Sequence, residues 1–246
     1  MPNKKMFIPS IFTFFNLFLG FFSIIKTLEG NLHTAAWLIV LSALSDAMDG
    51  KLARWTGLES RFGFELDSLS DVISFGIAPA MLAYVGVLQQ LDFLGILIAF
   101  LFVFGGAYRL ARFNSQNANE ERHTYIGLTI PIAAITLASF WHFESSIGQN
   151  PGVPEWTILI VVLSMLMTST LPYKWPRLIF DEGWIKKSLS LGILVAALLL
   201  AVIVPEISLF PLLSIFILFG IGNWMASIVR GEIEWTEFFV LMKRND

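Results

Sequence analysis

Eight long apolar runs follow one another along this chain, and about 20 apolar residues are what one helix needs to cross the hydrocarbon of a bilayer. They extend from Phe7 to Ile25, His33 to Asp49, Leu69 to Leu88, Leu91 to Ala111, Gly127 to Phe143, Trp156 to Leu171, Ser188 to Val204 and Leu209 to Val229. Lipid offers the backbone no water, so each run has to close its own hydrogen bonds as a helix. The expectation is an all-α integral membrane protein of about eight transmembrane helices. A composition of 56% hydrophobic and 14% charged residues and a mean hydropathy of +0.71 agree with it. Lys4 and Lys5 precede the first run as in a signal peptide. Its apolar stretch is too long, however, and no A-x-A-like cleavage site follows, so it reads as an uncleaved span. Short loops without a Pro/Gly/Ser-rich linker point to one compact membrane domain.

Charge then orients the spans. All but Lys26 of the 16 Lys and Arg residues fall at the termini or in one alternate set of loops. By the positive-inside rule that side is cytoplasmic, and it holds both termini. Trp55, Trp141, Trp156, Trp175, Trp184 and Trp235 lie near span ends, where an interfacial belt is expected. A net charge of -3 leaves no basic face for nucleic acid. The absence of cysteine excludes disulfides, thiolate chemistry and Cys-based zinc sites. His33, His123 and His142 are too scattered in sequence to suggest another metal site, and read as interfacial or packing residues.

Against this apolar background Asp46 to Asp71 reads DAMDGKLARWTGLESRFGFELDSLSD, with the spacing D-x2-D-G-x2-A-R-x8-G-x3-D-x3-D. Asp46, Asp49, Gly50 and Ala53 share one helical stripe; Gly63, Asp67 and Asp71 share another on the next helix. The purely apolar part of the second span, Ala35 to Leu44, is about half of a crossing, so Asp46 and Asp49 enter the cytoplasmic leaflet. A third helix that ends near Leu88 has to begin close to Asp67. If the stripes face each other, four anionic carboxylates converge at a depth where each costs several kcal/mol unless paired or metal-bound. Arg54 and Arg61 alone do not offset four anions, whereas one or two hard divalent cations do. An all-oxygen donor set favours Mg2+ or Mn2+, and Mg2+ bound by few carboxylates completes its shell with substrate phosphate. Gly50 and Gly63 would let that substrate approach the backbone; Gly50 can equally be a helix-packing glycine. Arg54 offers a planar fork to phosphate oxygens or snorkels to the interface.

The whole segment resembles the signature of the CDP-alcohol phosphatidyltransferases, membrane enzymes that move a phosphatidyl group from a cytidine-diphosphate lipid to an alcohol. The resemblance implies a core of six transmembrane helices, here residues 1–180, with residues 181–246 adding two helices and a cytoplasmic tail. It implies that Asp46, Asp49, Asp67 and Asp71 hold two metal ions, Mg2+ or Mn2+, and that Asp71 is the catalytic base for the acceptor hydroxyl. Gly50, Ala53, Arg54, Ser60, Gly63 and Thr13 would hold the CDP-diacylglycerol donor. It also implies a homodimer; the charge distribution places it in the inner membrane with its active site on the cytoplasmic side and membrane lipids as its surroundings.

Four further stretches resemble the branch of that family that uses L-serine: SRFGFELDSLSDVISFGIAP from Ser60 to Pro79, GGAYRLARFN from Gly105 to Asn114, GLTIPIAA from Gly127 to Ala134 and LMTSTLPYKW from Leu166 to Trp175. Arg109 and Arg112, at i and i+3, can receive the serine carboxylate, with Asn114 adding a hydrogen bond; they can equally anchor a helix end. Thr129 and Ser10 stand where that branch often has proline and asparagine, and Ser10 lies beside the expected nucleotide contact near Thr13. Asn16 lies one turn beyond Thr13. Other acceptors remain as alternatives: glycerol phosphate, inositol or inositol phosphate, the phosphorylated ones needing a denser basic cluster. A cation transporter would carry acids through both leaflets or an internal repeat. An intramembrane prenyltransferase would carry a second Asp-rich segment.

Overall fold

The computed structural model describes residues 10–56, 61–117, 127–148, 151–171 and 199–229. Among them there are helices, turns and short connections and no strand. The helices are α1 (Ser10–Leu28), α2 (Leu32–Thr56), α3 (Arg61–Asp71), α4 (Ala78–Gly86), α5 (Asp92–Asn117), α6 (Ile130–Ser146), α7 (Val153–Thr168) and α8 (Pro205–Val229). A π-helical segment, Val72–Ile77, joins α3 to α4, so these two form one crossing. Seven of the eight expected spans thus correspond to described helices; most of the seventh, Ser188 to Val204, lies outside the described residues. Among those described, Ile11–Leu28, Phe62–Gly86, Leu88–Ser115 and Pro205–Ala226 are long and apolar enough to cross a membrane, and Val153–Thr168 is a shorter apolar helix. The third crossing starts at Arg61, ahead of the apolar run that begins at Leu69, and Gly63, Asp67 and Asp71 lie on one helix as their spacing implies.

The chain is all-α and built as an integral membrane protein, with its apolar surface turned outward. On α1 the exposed side chains are Ile11, Phe14, Phe15, Phe18 and Phe21, while Thr13, Asn16, Ser23 and Thr27 are buried. A soluble helix would show the reverse. Helix contact in lipid gains little from burying apolar groups and comes from close packing and hydrogen bonds between small and polar side chains. That places a polar stripe at each helix interface: Ser23 donates to Ala35 O (2.9 Å), joining α1 to α2.

The α1–α2 connection is a Schellman turn. Gly30 adopts φ +79°, while the amides of Gly30 and Asn31 donate to Thr27 O and Lys26 O, which closes α1 and reverses the chain. At Gly20 helix α1 closely approaches the π-helical segment: a Cβ there would lie 2.6 Å from Ser74 Cα. Helix α6 is the hub, with Ala133, Ala134, Leu137, Ala138 and His142 buried among its neighbours. Helix α8 attaches to α6 through Phe210, whose ring lies 4.7 Å from Phe140 and 5.4 Å from Phe143.

Two expectations about aromatic residues change. Trp156 is fully buried and its indole N–H donates to Glu144 Oε2 (2.6 Å), so it belongs to the core rather than to an interfacial belt. Trp141 packs edge-on against it and lies against Gly86. Trp175, Trp184 and Trp235 lie outside the described residues.

Candidate metal and phosphate site

Asp46 on α2 meets Asp67 and Asp71 on α3. Each offers one carboxylate oxygen, and these three oxygens lie within 4.8 Å of one another. The i, i+4 spacing puts the two α3 carboxylates one above the other on the face turned toward α2. Asp71 is buried, and the helix widens into its π-turn at the next residue. The π register has a local cause: Pro79 has no N–H to offer, and its ring would crowd the carbonyl four residues back in an α-helical turn. Ala78 N–H accordingly donates five residues back, to Ile73 O.

Asp49, the fourth expected member, stands beside this trio rather than in it. Its Oδ2 accepts a hydrogen bond from Thr13 Oγ1 on α1, while Oδ1 is buried with no hydrogen-bond partner among the described residues. It remains within electrostatic reach of Asp46 and Asp67. Convergence of four carboxylates was expected; three converge, because the α1 hydroxyl holds the fourth.

Helix α1 supplies supports that the spacing of the acids does not reveal. Asn16 Nδ2 donates to Asp71 Oδ1 (3.3 Å), and its own Oδ1 accepts from Ser42 Oγ. Four serines fix the α1 backbone around these two residues. Ser42 and Ser74 donate to Asn16 O at 3.1 and 3.0 Å. Ser70 donates to Thr13 O (3.3 Å), and Ser45 to Phe12 O (3.2 Å). The sequence does carry their signal, Ser42/Ser45 at i, i+3 and Ser70/Ser74 at i, i+4, on the same faces as the acids.

The three cationic and amide candidates on α5 separate. Arg109 is buried, lies within electrostatic reach of Asp71, and sits 5.9 Å from the centre of the Phe113 ring. Asn114 Nδ2 donates to Ser68 Oγ (3.0 Å), beside Asp67, and its Oδ1 is buried without a partner among the described residues. Arg112 turns instead to α7, donating to Thr168 O and Ser169 O (2.8 Å each) and Met167 O (3.5 Å). These are terminal carbonyls that a helix cannot satisfy by itself. The expectation that Arg109 and Arg112 work as one face is therefore revised: steps of three residues leave side chains about 60° apart on a helix, enough to point at different neighbours. Gly63 lies on α3 one turn before Asp67. Positions 50, 53 and 54 continue α2 past Asp49, but the side chains of Ala53 and Arg54, and Ser60 altogether, lie outside the described residues.

A second group was missed from sequence. His33 and His142 are 109 positions apart, yet α2 begins where α6 ends, and one ligating atom of each comes within 4.8 Å of the other and of a Glu206 carboxylate oxygen. Sequence distance hid a contact that helix topology creates.

Three carboxylates with oxygens so close repel one another on the order of 3 kcal/mol per ionised pair, even at an effective dielectric of 20. An oxygen-only donor set of this kind fits a hard divalent cation and the phosphate oxygens that complete its shell.

The comparisons with known proteins agree with that chemistry. Residues 6–175 match the family model described as CDP-alcohol phosphatidyltransferase. The chain is 35% identical over 234 residues to a CDP-diacylglycerol–serine O-phosphatidyltransferase of Helicobacter pylori, covering 94% of this chain and 96% of that one. It is 36% identical over 181 residues to an archaetidylserine synthase of Methanothermobacter thermautotrophicus, covering 70% and 73%. It is 38% identical over 171 residues to a CDP-diacylglycerol–serine O-phosphatidyltransferase of Bacillus subtilis, covering 68% and 89%. With the spacing of its acids, their convergence beneath α1 and a match across most of its length, the chain belongs to the CDP-alcohol phosphatidyltransferase family of membrane enzymes.

Proposed function

We propose that this enzyme transfers the phosphatidyl group of CDP-diacylglycerol to the hydroxyl of L-serine, releasing CMP and forming phosphatidylserine. The observation that carries the reading is the meeting of Asp46, Asp67 and Asp71 across two helices, supported by the names of the relatives in Helicobacter and Bacillus.

In this reading Asp46, Asp49, Asp67 and Asp71 hold two divalent ions, Mg2+ or Mn2+. Such ions, when bound, neutralise charge on the pyrophosphate and draw attacking and leaving oxygens into line. Gly50, Ala53, Arg54, Ser60 and Gly63 line the donor's path. Thr13 acts through Asp49, holding its carboxylate in place. Asn16 orients Asp71, whose carboxylate accepts the proton as the serine oxygen bonds to the phosphatidyl phosphorus. The phosphoanhydride P–O bond then breaks, and CMP departs with the bridging oxygen. Asp71 is a positioned acceptor rather than a strong base.

Arg109 and Asn114 are the groups we assign to serine, its carboxylate toward Arg109. Arg112 positions the α7 terminus instead of binding acceptor. Of the two α5 arginines only Arg109 is left to this face, which serves an acceptor phosphate poorly and favours serine over glycerol phosphate or inositol phosphate. We further propose residues 1–180 as the catalytic core and 181–246 as an addition, supported by the span of the family match, residues 6–175. The distribution of Lys and Arg supports placement in the inner membrane with both termini and the site on the cytoplasmic side, and homodimerisation is proposed by family resemblance.

The test is release of CMP by purified protein given CDP-diacylglycerol and Mn2+ or Mg2+, with a panel of alcohols. Serine-dependent CMP release and phosphatidylserine formation are expected. Release that ignores serine and follows another alcohol would reject the acceptor; no release with any alcohol would reject the reaction.

A further inference from the structure

We propose that His33, His142 and Glu206 form a binding site for one divalent transition-metal ion of the zinc class, and that this ion fastens α8 to the core. The three residues come from the start of α2, the end of α6 and the start of α8. One ligating atom from each lies within 4.8 Å of the other two. Ligands of a tetrahedral zinc ion bonded at 2.0–2.1 Å stand about 3.4 Å apart. His33 and Glu206 are exposed and have the freedom to close that difference, whereas His142 is held inside the fold.

The observation that points to a ligand is His142 itself. It is 1% exposed, and neither ring nitrogen has a hydrogen-bond partner among the described residues. Buried polar atoms are seldom left so. Its ring is flanked by His33 and Trp37, with centroids at 4.7 and 4.5 Å, which fixes its plane and satisfies neither nitrogen. The other two ligands are already oriented from α6: His33 Nε2 lies 3.2 Å from Ser145 Oγ, and Ser146 Oγ donates to Glu206 Oε2 (3.4 Å). Such outer contacts aim ligands in metal sites. Two imidazoles and one carboxylate are a donor set for zinc-like ions, in contrast to the oxygen-only aspartate cluster. Thirteen residues of α2 separate His33 from Asp46, about 20 Å along the helix axis, so the two sites are independent.

The site also has a structural purpose. Helix α8 lies beyond residues 6–175, the span of the family match, and only 6% of its apolar window is buried. Apolar packing alone associates helices weakly in lipid. Glu206 binding together with two core histidines would tie the start of α8 in place.

The test uses the full-length protein in lipid-detergent micelles, with millimolar Mg2+ present throughout to occupy oxygen sites. Zn2+ is titrated calorimetrically, and Co2+ is added separately for its ligand-field spectrum. Wild type should take up one Zn2+ per chain, give a tetrahedral Co2+ spectrum and melt at higher temperature with Zn2+. Glu206→Gln and His33→Asn, both at exposed positions, should weaken Zn2+ by on the order of tenfold or more and abolish the thermal shift. His142→Phe keeps a ring in the buried site and should do the same, while Asp67→Asn should leave Zn2+ binding unchanged. No uptake by wild type, uptake unaffected by Glu206→Gln and His33→Asn, or loss with Asp67→Asn alone would each overturn the proposal. None of these readings involves CMP release, so this inference and the proposed reaction can fail separately.

Discussion

Asp71 and Asp49 have the same side chain but different partners, and the difference predicts different behaviour on substitution. Asp71 accepts a hydrogen bond from an amide, Asn16, leaving proton acceptance to its carboxylate. Asp71→Asn keeps the shape and the contact to Asn16 but removes the acceptor for the serine proton. Turnover should fall by about 10²–10⁴-fold while CDP-diacylglycerol binding stays measurable; near-normal turnover would take Asp71 out of the reaction. Asn16→Leu is a milder change because it acts through another group. We expect the Mn2+ concentration for half-maximal activity to rise by about 10–100-fold, as for loss of an outer-shell contact to a ligand, with activity recovered at high Mn2+. An effect on the serine KM without any shift in Mn2+ dependence would contradict that role. The acids were legible in the sequence because their spacing repeats the helical period. Asn16 stood out one turn beyond Thr13 and the four serines shared faces with the acids, but their partners were not legible, because those depend on which helices pack together.

The elements most exposed to test are the ones held by backbone contacts. Arg112 satisfies three carbonyls at the end of α7, in a region where the amides of Gly127 and Leu128 also donate to Leu171 O and Leu166 O. Arg112→Gln should therefore cost about 1–3 kcal/mol of stability, seen as a lower melting temperature, and leave the serine KM of the surviving enzyme unchanged. A large rise in KM with no loss of stability would return Arg112 to the acceptor site. Gly20 is the corresponding point on α1. Any side chain there runs into the Ser74 backbone, so Gly20→Val should push α1 off the π-turn and carry Thr13 and Asn16 away from Asp49 and Asp71, with loss of activity despite no contact with substrate. Span existence was legible for most helices. The start of the third crossing was legible only in part: the stripe of Gly63, Asp67 and Asp71 already implied a helix, but polar Arg61, Glu65 and Asp67 kept its first turns out of the apolar run that began at Leu69.

At the scale of the whole molecule, the proposed reaction needs a polar site that opens to the aqueous side from which serine arrives and into which CMP leaves, while the lipid donor comes through the bilayer. In the proposed orientation that side is the cytoplasmic one, and the short α1–α2 turn, with its exposed Lys26–Glu29 pair, lies on the opposite side. The histidine cluster lies at this second end. Chelation should therefore act on two separate properties: exhaustive removal of divalent ions should abolish CMP release, which Mg2+ or Mn2+ alone should restore because the aspartate donors are oxygens only, and should lower the melting temperature, which Zn2+ should restore through the proposed histidine site. The orientation itself is directly measurable, since a chain without cysteine gives no labelling background. Glu29→Cys should react with a membrane-impermeant maleimide in cells with an intact inner membrane. Ser115→Cys, at the aspartate-side end of α5 and exposed, should react only after that membrane is opened. Labelling in the reverse order would invert the protein in the bilayer and place its acidic cluster away from the proposed cytoplasmic supply of serine.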